Sequence, residues 1–81
     1  MTEPVSIQTL LLAINSMAKE RHDIAASLQA GGLSDEEHDY LSDKALRLTA
    51  GLGELADLYE PLRRGHEATF PTIERIFSAY E

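Results

Sequence analysis

"AGGLSDEE", residues 30–37, decides how this chain folds. Gly31 can adopt the left-handed conformation that ends a helix, and Leu33 can fold back onto the last turn. Ser34 followed three residues later by Glu37 is a capping-box pattern, and Asp35, Glu36 and Glu37 put negative charge where a helix dipole is positive. A helix stop and a helix start separated by only four residues predict two helices lying side by side and antiparallel.

The periodicity on either side fits this reading. From Pro4 to Gln29, Ile7, Leu10, Ile14, Met17, Ile24 and Leu28 keep a three-four spacing, with Arg21 the one polar residue in the stripe. Leu11, Ala18 and Ala25 widen the stripe, and Pro4 suits a first-turn position. Past the turn, His38, Leu41, Ala45, Leu48, Leu52, Leu55, Tyr59 and Leu62 alternate three and four residues without a break. Each helix of about 26 residues would be about 39 Å long at 1.5 Å per residue.

Proline at 61 has no N–H and would clash with the Asp57 carbonyl, at a cost of about 3 kcal/mol in an unbroken helix, so a kink or stop is expected near Glu60. Arg63 and Arg64 then suit a helix C-terminus, and Gly65 a further stop. In "TFPTIERIFSAYE", Ile73, Ile76, Phe77 and Tyr80 share one face behind Pro71. The sequence thus predicts an all-α fold: an antiparallel two-helix hairpin, at about 5–30 and about 35–60, with a short third helix at about 71–80. We expect a single domain over 1–81, with 61–81 a tail that caps the hairpin or contacts a partner.

Chains of 81 residues bury only about 60% of the surface their unfolded form exposes, so the core will be thin. With no cysteine there are no disulfides, and stability must come from packing against itself or another chain. A formal net charge of -7, from 14 acidic and 7 basic residues, argues against nucleic acid and anionic membranes as partners. "MTEPVSIQ" lacks the features of a signal peptide, and "LLLAI" is far short of the roughly 20 apolar residues that span a bilayer. A cytoplasmic location is expected.

No chemistry-bearing motif stands out. Asp35 and His38 have the i, i+3 spacing of di-metal bundles, and Glu36, Glu37, Asp39 and Asp43 add carboxylates, but Glu20 and His22, two apart, supply no matching second helix. A capping box explains the acids without a metal. His22, His38 and His66 are scattered, with no serine or cysteine nucleophile in a recognisable setting, so neither an enzyme nor a cofactor is expected. Arg63 and Arg64 read as a helix-end charge pair and not a phosphate site. Leu12, Tyr40, Leu46 and Leu58 lie off the main stripes, and a two-helix hairpin cannot bury every side of both members.

Gly51 and Gly53 stand inside the second helix, where each costs about 1 kcal/mol relative to alanine. Flanking Leu52 on opposite sides, they fit a close approach of neighbouring helices. The run "YLSDKALRLTAGLGELADL", with Tyr40, Leu41, Ala45, Leu48, Gly51, Leu52, Gly53, Leu55 and Leu58, resembles the second helix of the small needle-subunit co-chaperones of bacterial type III secretion systems. "AGGLSDEE" resembles the turn joining their two helices, so the likeness covers residues 29–58.

The resemblance implies a non-enzymatic hairpin that clasps a tetratricopeptide-like co-chaperone, the two together keeping the needle subunit monomeric in the cytosol. Tyr40, Leu41, Leu48, Gly51, Leu52, Gly53, Leu55 and Leu58 are then the expected partner interface. The tail after Glu60 departs from the shorter family members. The alternative expectation is a self-contained homodimeric four-helix bundle acting as a regulator or scaffold.

Overall fold

The computed structural model describes residues 6–65 and 70–80. Helix α1 spans Ile7–Ala30, α2 spans Asp35–Arg64 and α3 spans Ile73–Ser78, and α1 and α2 form an antiparallel hairpin. The 48 Å long axis of the molecule follows from α2, whose 30 residues rise about 1.5 Å each.

Ser6 opens α1, its hydroxyl accepting from the Thr9 N–H at 3.2 Å. The expected first-turn role of Pro4 lies outside the described residues. The hairpin turn holds Gly31 and Gly32 at φ 78° and 77°. Gly31 differs from the expected left-handed helix cap in its ψ of -164°, which places it in an extended region open almost only to glycine. The chain thereby leaves α1 directly and reaches Ser34 at once. The capping box forms as expected: the Glu37 N–H donates to the Ser34 hydroxyl at 3.1 Å, and the Ser34 N–H to the Glu37 carboxylate at 3.5 Å.

A stop near Glu60, one of the two expected effects of Pro61, does not occur, and α2 runs through Pro61 to Arg64. Pro61 removes one backbone bond, to Asp57, and lies within the last turn and a half, where few later bonds depend on the helix path. One tertiary and one local contact hold that last turn. Leu62 packs on the core, and the Arg63 guanidinium donates to both Glu60 carboxylate oxygens, at 3.1 and 3.2 Å. Gly65 ends the helix at φ -70°, still right-handed.

Helix α3 is shorter than the expected 71–80. Pro71 precedes the helix, Thr72 caps it by accepting from the Arg75 N–H at 3.2 Å, and Ala79 and Tyr80 form a closing turn. The face of Ile73, Ile76, Phe77 and Tyr80 lies against the hairpin, and Phe70 packs there too. Three contacts fasten this segment. The Tyr59 hydroxyl donates to the Pro71 carbonyl at 2.7 Å, the Tyr80 hydroxyl bonds Asn15 Oδ1 at 3.1 Å, and the Arg21 guanidinium sits 5.3 Å from the Phe77 ring centroid. Arg21, the polar residue in the stripe of α1, thus faces an aromatic ring of α3.

The core joins Ile7, Leu10, Ile14 and Ala18 of α1 to Leu52 and Tyr59 of α2 and Ile76 of α3. Tyr59, Ile14 and Leu52 are the largest fully buried side chains. Burial is uneven. Leu52 and Tyr59 are the only buried residues of α2, so its first seventeen residues, 35–51, contribute none. The core therefore lies at the open end of the hairpin, under α3.

Burial pushes the Tyr59 phenol above its ordinary value, keeping it a donor at physiological pH. Tyr59→Phe should cost about 1 kcal/mol by losing the bond to Pro71, read as a lower urea midpoint with unchanged slope. The hydrogen bond from Arg63 holds the Glu60 carboxyl below its ordinary value of 4.5. Because the folded value is the lower one, this contribution is complete above about pH 4.5 and declines as pH falls through the folded value. Glu60→Gln should lower the urea midpoint at pH 7 and reduce its further loss on acidification.

Candidate partner-binding face

Helix α2 carries every residue of the expected interface, but its neighbours divide them. Leu52 is 1% exposed and belongs to the chain's own core, and Leu55 packs against that core. Gly51 is committed within the chain as well: a Cβ there would lie 2.7 Å from Met17 Cε of α1. This contact accounts for one of the two glycines, and Met17, 34 positions away in sequence, gave no local sign of it. Gly53 has nothing within 4 Å of where its Cβ would be and faces outward.

The remaining residues are accessible. Tyr40 and Leu58 are 65% and 57% exposed, and Leu41 and Leu48 are half-buried. Tyr40 and Leu58 are separated by 18 residues, five helical turns, so they share one azimuth about 27 Å apart. Leu46 and Leu12, at 71% and 72%, are more exposed still. Both lie off the seam positions that set the interface expectation; their distance from the stripe is the sequence signal that marks them.

Near the turn, Met17, Tyr40, Asp43, Lys44, Arg47 and Leu48 line an open groove that no residue of α3 enters. Two ion pairs border it: Lys44 reaches Glu20 of α1 at 3.2 Å, and Arg47 reaches Asp43 at 3.0 Å. Both pairs are substantially solvated and add about 0–1 kcal/mol each. They fix the rim more than they stabilise the fold. Half of the groove's lining is apolar, from Met17, Tyr40 and Leu48, half is charged, and no third element covers it.

The acids at the start of α2 act as helix-start groups, with Glu37 engaged by Ser34. Among the described residues, no three His, Cys, Asp or Glu side chains converge to hold a metal ion. His38 approaches only Asp39, at 4.0 Å, and His66 lies outside the described residues. Arg63 and Arg64 both turn toward Glu60, as a helix-end charge cluster does. No described helix is long and apolar enough to cross a membrane. What this surface offers chemically is apolar contact and charge.

Compared with known proteins, the chain matches no family model, no curated protein and no solved structure.

The two glycines should respond with opposite sign. Gly53→Ala removes the helix penalty with no contact to disturb, and should add about 1 kcal/mol, raising Tm by roughly 4–8 °C. Gly51→Leu must displace at least the terminal methyl of Met17 and fit further methylenes beside it, and should lower stability by about 1 kcal/mol despite leucine's better helix propensity. Thermal unfolding followed by circular dichroism reads both.

Proposed function

We propose that this chain is a non-enzymatic co-chaperone of type III secretion, whose hairpin stabilises a helical-repeat, tetratricopeptide-like chaperone and helps keep the needle subunit monomeric in the cytosol. The resemblance of residues 29–58 to such co-chaperones supplies the identity of the partners. The observation that carries a partner-binding role is the uneven core: residues 35–51 of α2 contribute no fully buried side chain, and near the turn only Ile24 of α1 is buried, while the seam residues Leu41 and Leu48 stay half-buried beside an exposed Tyr40.

An apolar seam left open at one end of a small hairpin favours a protein that covers it. A helical-repeat surface supplies helices of matching length and direction, and Tyr40, Leu41 and Leu48 are placed to pack between them. α3 covers the opposite end of the hairpin and leaves this seam free. A self-polymerising needle subunit needs its apolar face shielded until export, and a hairpin that firms the shielding protein serves that need without any catalytic group.

Co-expression tests the reading. The chain, a helical-repeat protein and a needle-like subunit encoded in one genome should co-purify as a soluble complex of defined stoichiometry, and omission of the chain should cost the repeat protein its solubility. Tyr40→Asp should weaken the complex while leaving the helicity of the chain intact. A chain that forms a stable homodimer through Tyr40, and leaves the repeat protein unaffected, would replace this reading with the four-helix bundle.

A further inference from the structure

The seam near the turn sits in a charge environment that selects among possible covers. Helix α2 holds four lysines and arginines, and all four are matched within the chain: Lys44 with Glu20, Arg47 with Asp43, and Arg63 and Arg64 with Glu60. Its carboxylates are not matched in return. Glu36, Asp39, Glu54 and Asp57 have no lysine or arginine in ion-pair reach among the described residues. Glu36 stands one helical turn before Tyr40, and Asp39 is next to it. The most exposed aromatic ring of the chain thus has, on its N-terminal side, two carboxylates that no lysine or arginine pairs, while Lys44 and Arg47 on its other side are already engaged by Glu20 and Asp43.

We propose that the groove of Met17, Tyr40 and Leu48 docks a basic amphipathic helix of a partner protein, with its apolar face on the seam and lysines or arginines against Glu36 and Asp39. This rests on the reading of α2 as a partner-binding helix and adds the chemistry of what it binds. The same charges turn away a second copy of the chain, which would bring a net charge of -7 against another -7 and juxtapose unpaired carboxylates. Apolar contact holds the partner, and the acidic border selects it.

The test uses the full chain and two synthetic amphipathic helices of 18 residues or so, about five turns, one built from leucine and lysine, the other from leucine and glutamate. The leucine-lysine helix should bind and the leucine-glutamate helix should not. Raising salt from about 0.1 M to about 1 M, which shortens the Debye length from about 10 Å to about 3 Å, should weaken binding about tenfold. Glu36→Lys with Asp39→Lys should cause a similar loss, and Tyr40→Ser should also weaken binding.

Glu54→Lys with Asp57→Lys makes the same change in net charge farther along α2, and should leave binding within about twofold. Thermal unfolding of each variant separates lost binding from lost folding. Equal losses from both charge reversals, indifference to Tyr40→Ser, binding of the glutamate helix, or no binding of the lysine helix would each overturn the proposal. A neutral or acidic helical-repeat partner docked on Tyr40 would overturn the charge assignment alone and leave the co-chaperone reading standing.

Discussion

The rest of the structure depends on the reversal of the chain between Ala30 and Asp35. Two consecutive glycines at positive φ and a serine that caps the next helix allow no room for a wandering loop. α2 must therefore return along α1, and the three-four stripes of the two helices meet over most of their length. α3 has its site because that pairing exists: the Tyr59 hydroxyl that donates to the Pro71 carbonyl comes from α2, and the Asn15 amide oxygen that bonds the Tyr80 hydroxyl comes from α1.

The apolar seam is continuous, but its cover is not. At the open end, a third helix places Ile76, Phe77 and Tyr80 over the pair, and Ile14, Leu52 and Tyr59 lose essentially all contact with solvent. Near the turn two helices alone enclose the seam, and two helices give each other only one contact line. Leu41, Ala45 and Leu48 have the spacing of core residues but are less deeply buried. The polar groups here are solvated charges and helix caps, and no buried side-chain donor or acceptor goes unpaired among the described residues. What sets this face apart is missing cover.

Local features were the legible ones. The capping box, the helical periods and the apolar face of the tail depend on neighbours within a few positions, and the structure reproduces them. Pro61 suggested a stop because its penalty is local, whereas the packing of Leu62 on the core, which helps hold the last turn of α2, is set by the tertiary fold. For the candidate face, periodicity found the seam residues but could not separate Leu52 from Leu41, since their exposure is set by where α3 lands. At Gly51 the neighbour is the tip of the Met17 side chain and not a helix backbone, and which side chain comes there follows only from the register of one helix against the other.

The Tyr80–Asn15 bond joins residues 65 apart in sequence, and Ile76 shares a cluster with Ile7. By contrast the segments that flank the turn meet across short loops. Chain closure thus works against the distribution of buried surface: the pairings that form most readily bury least, and those that bury most wait for nearly the whole chain to be present. The groove beside Tyr40 is lined by α1 and α2 alone, so it is complete once the two helices that a short loop joins have paired.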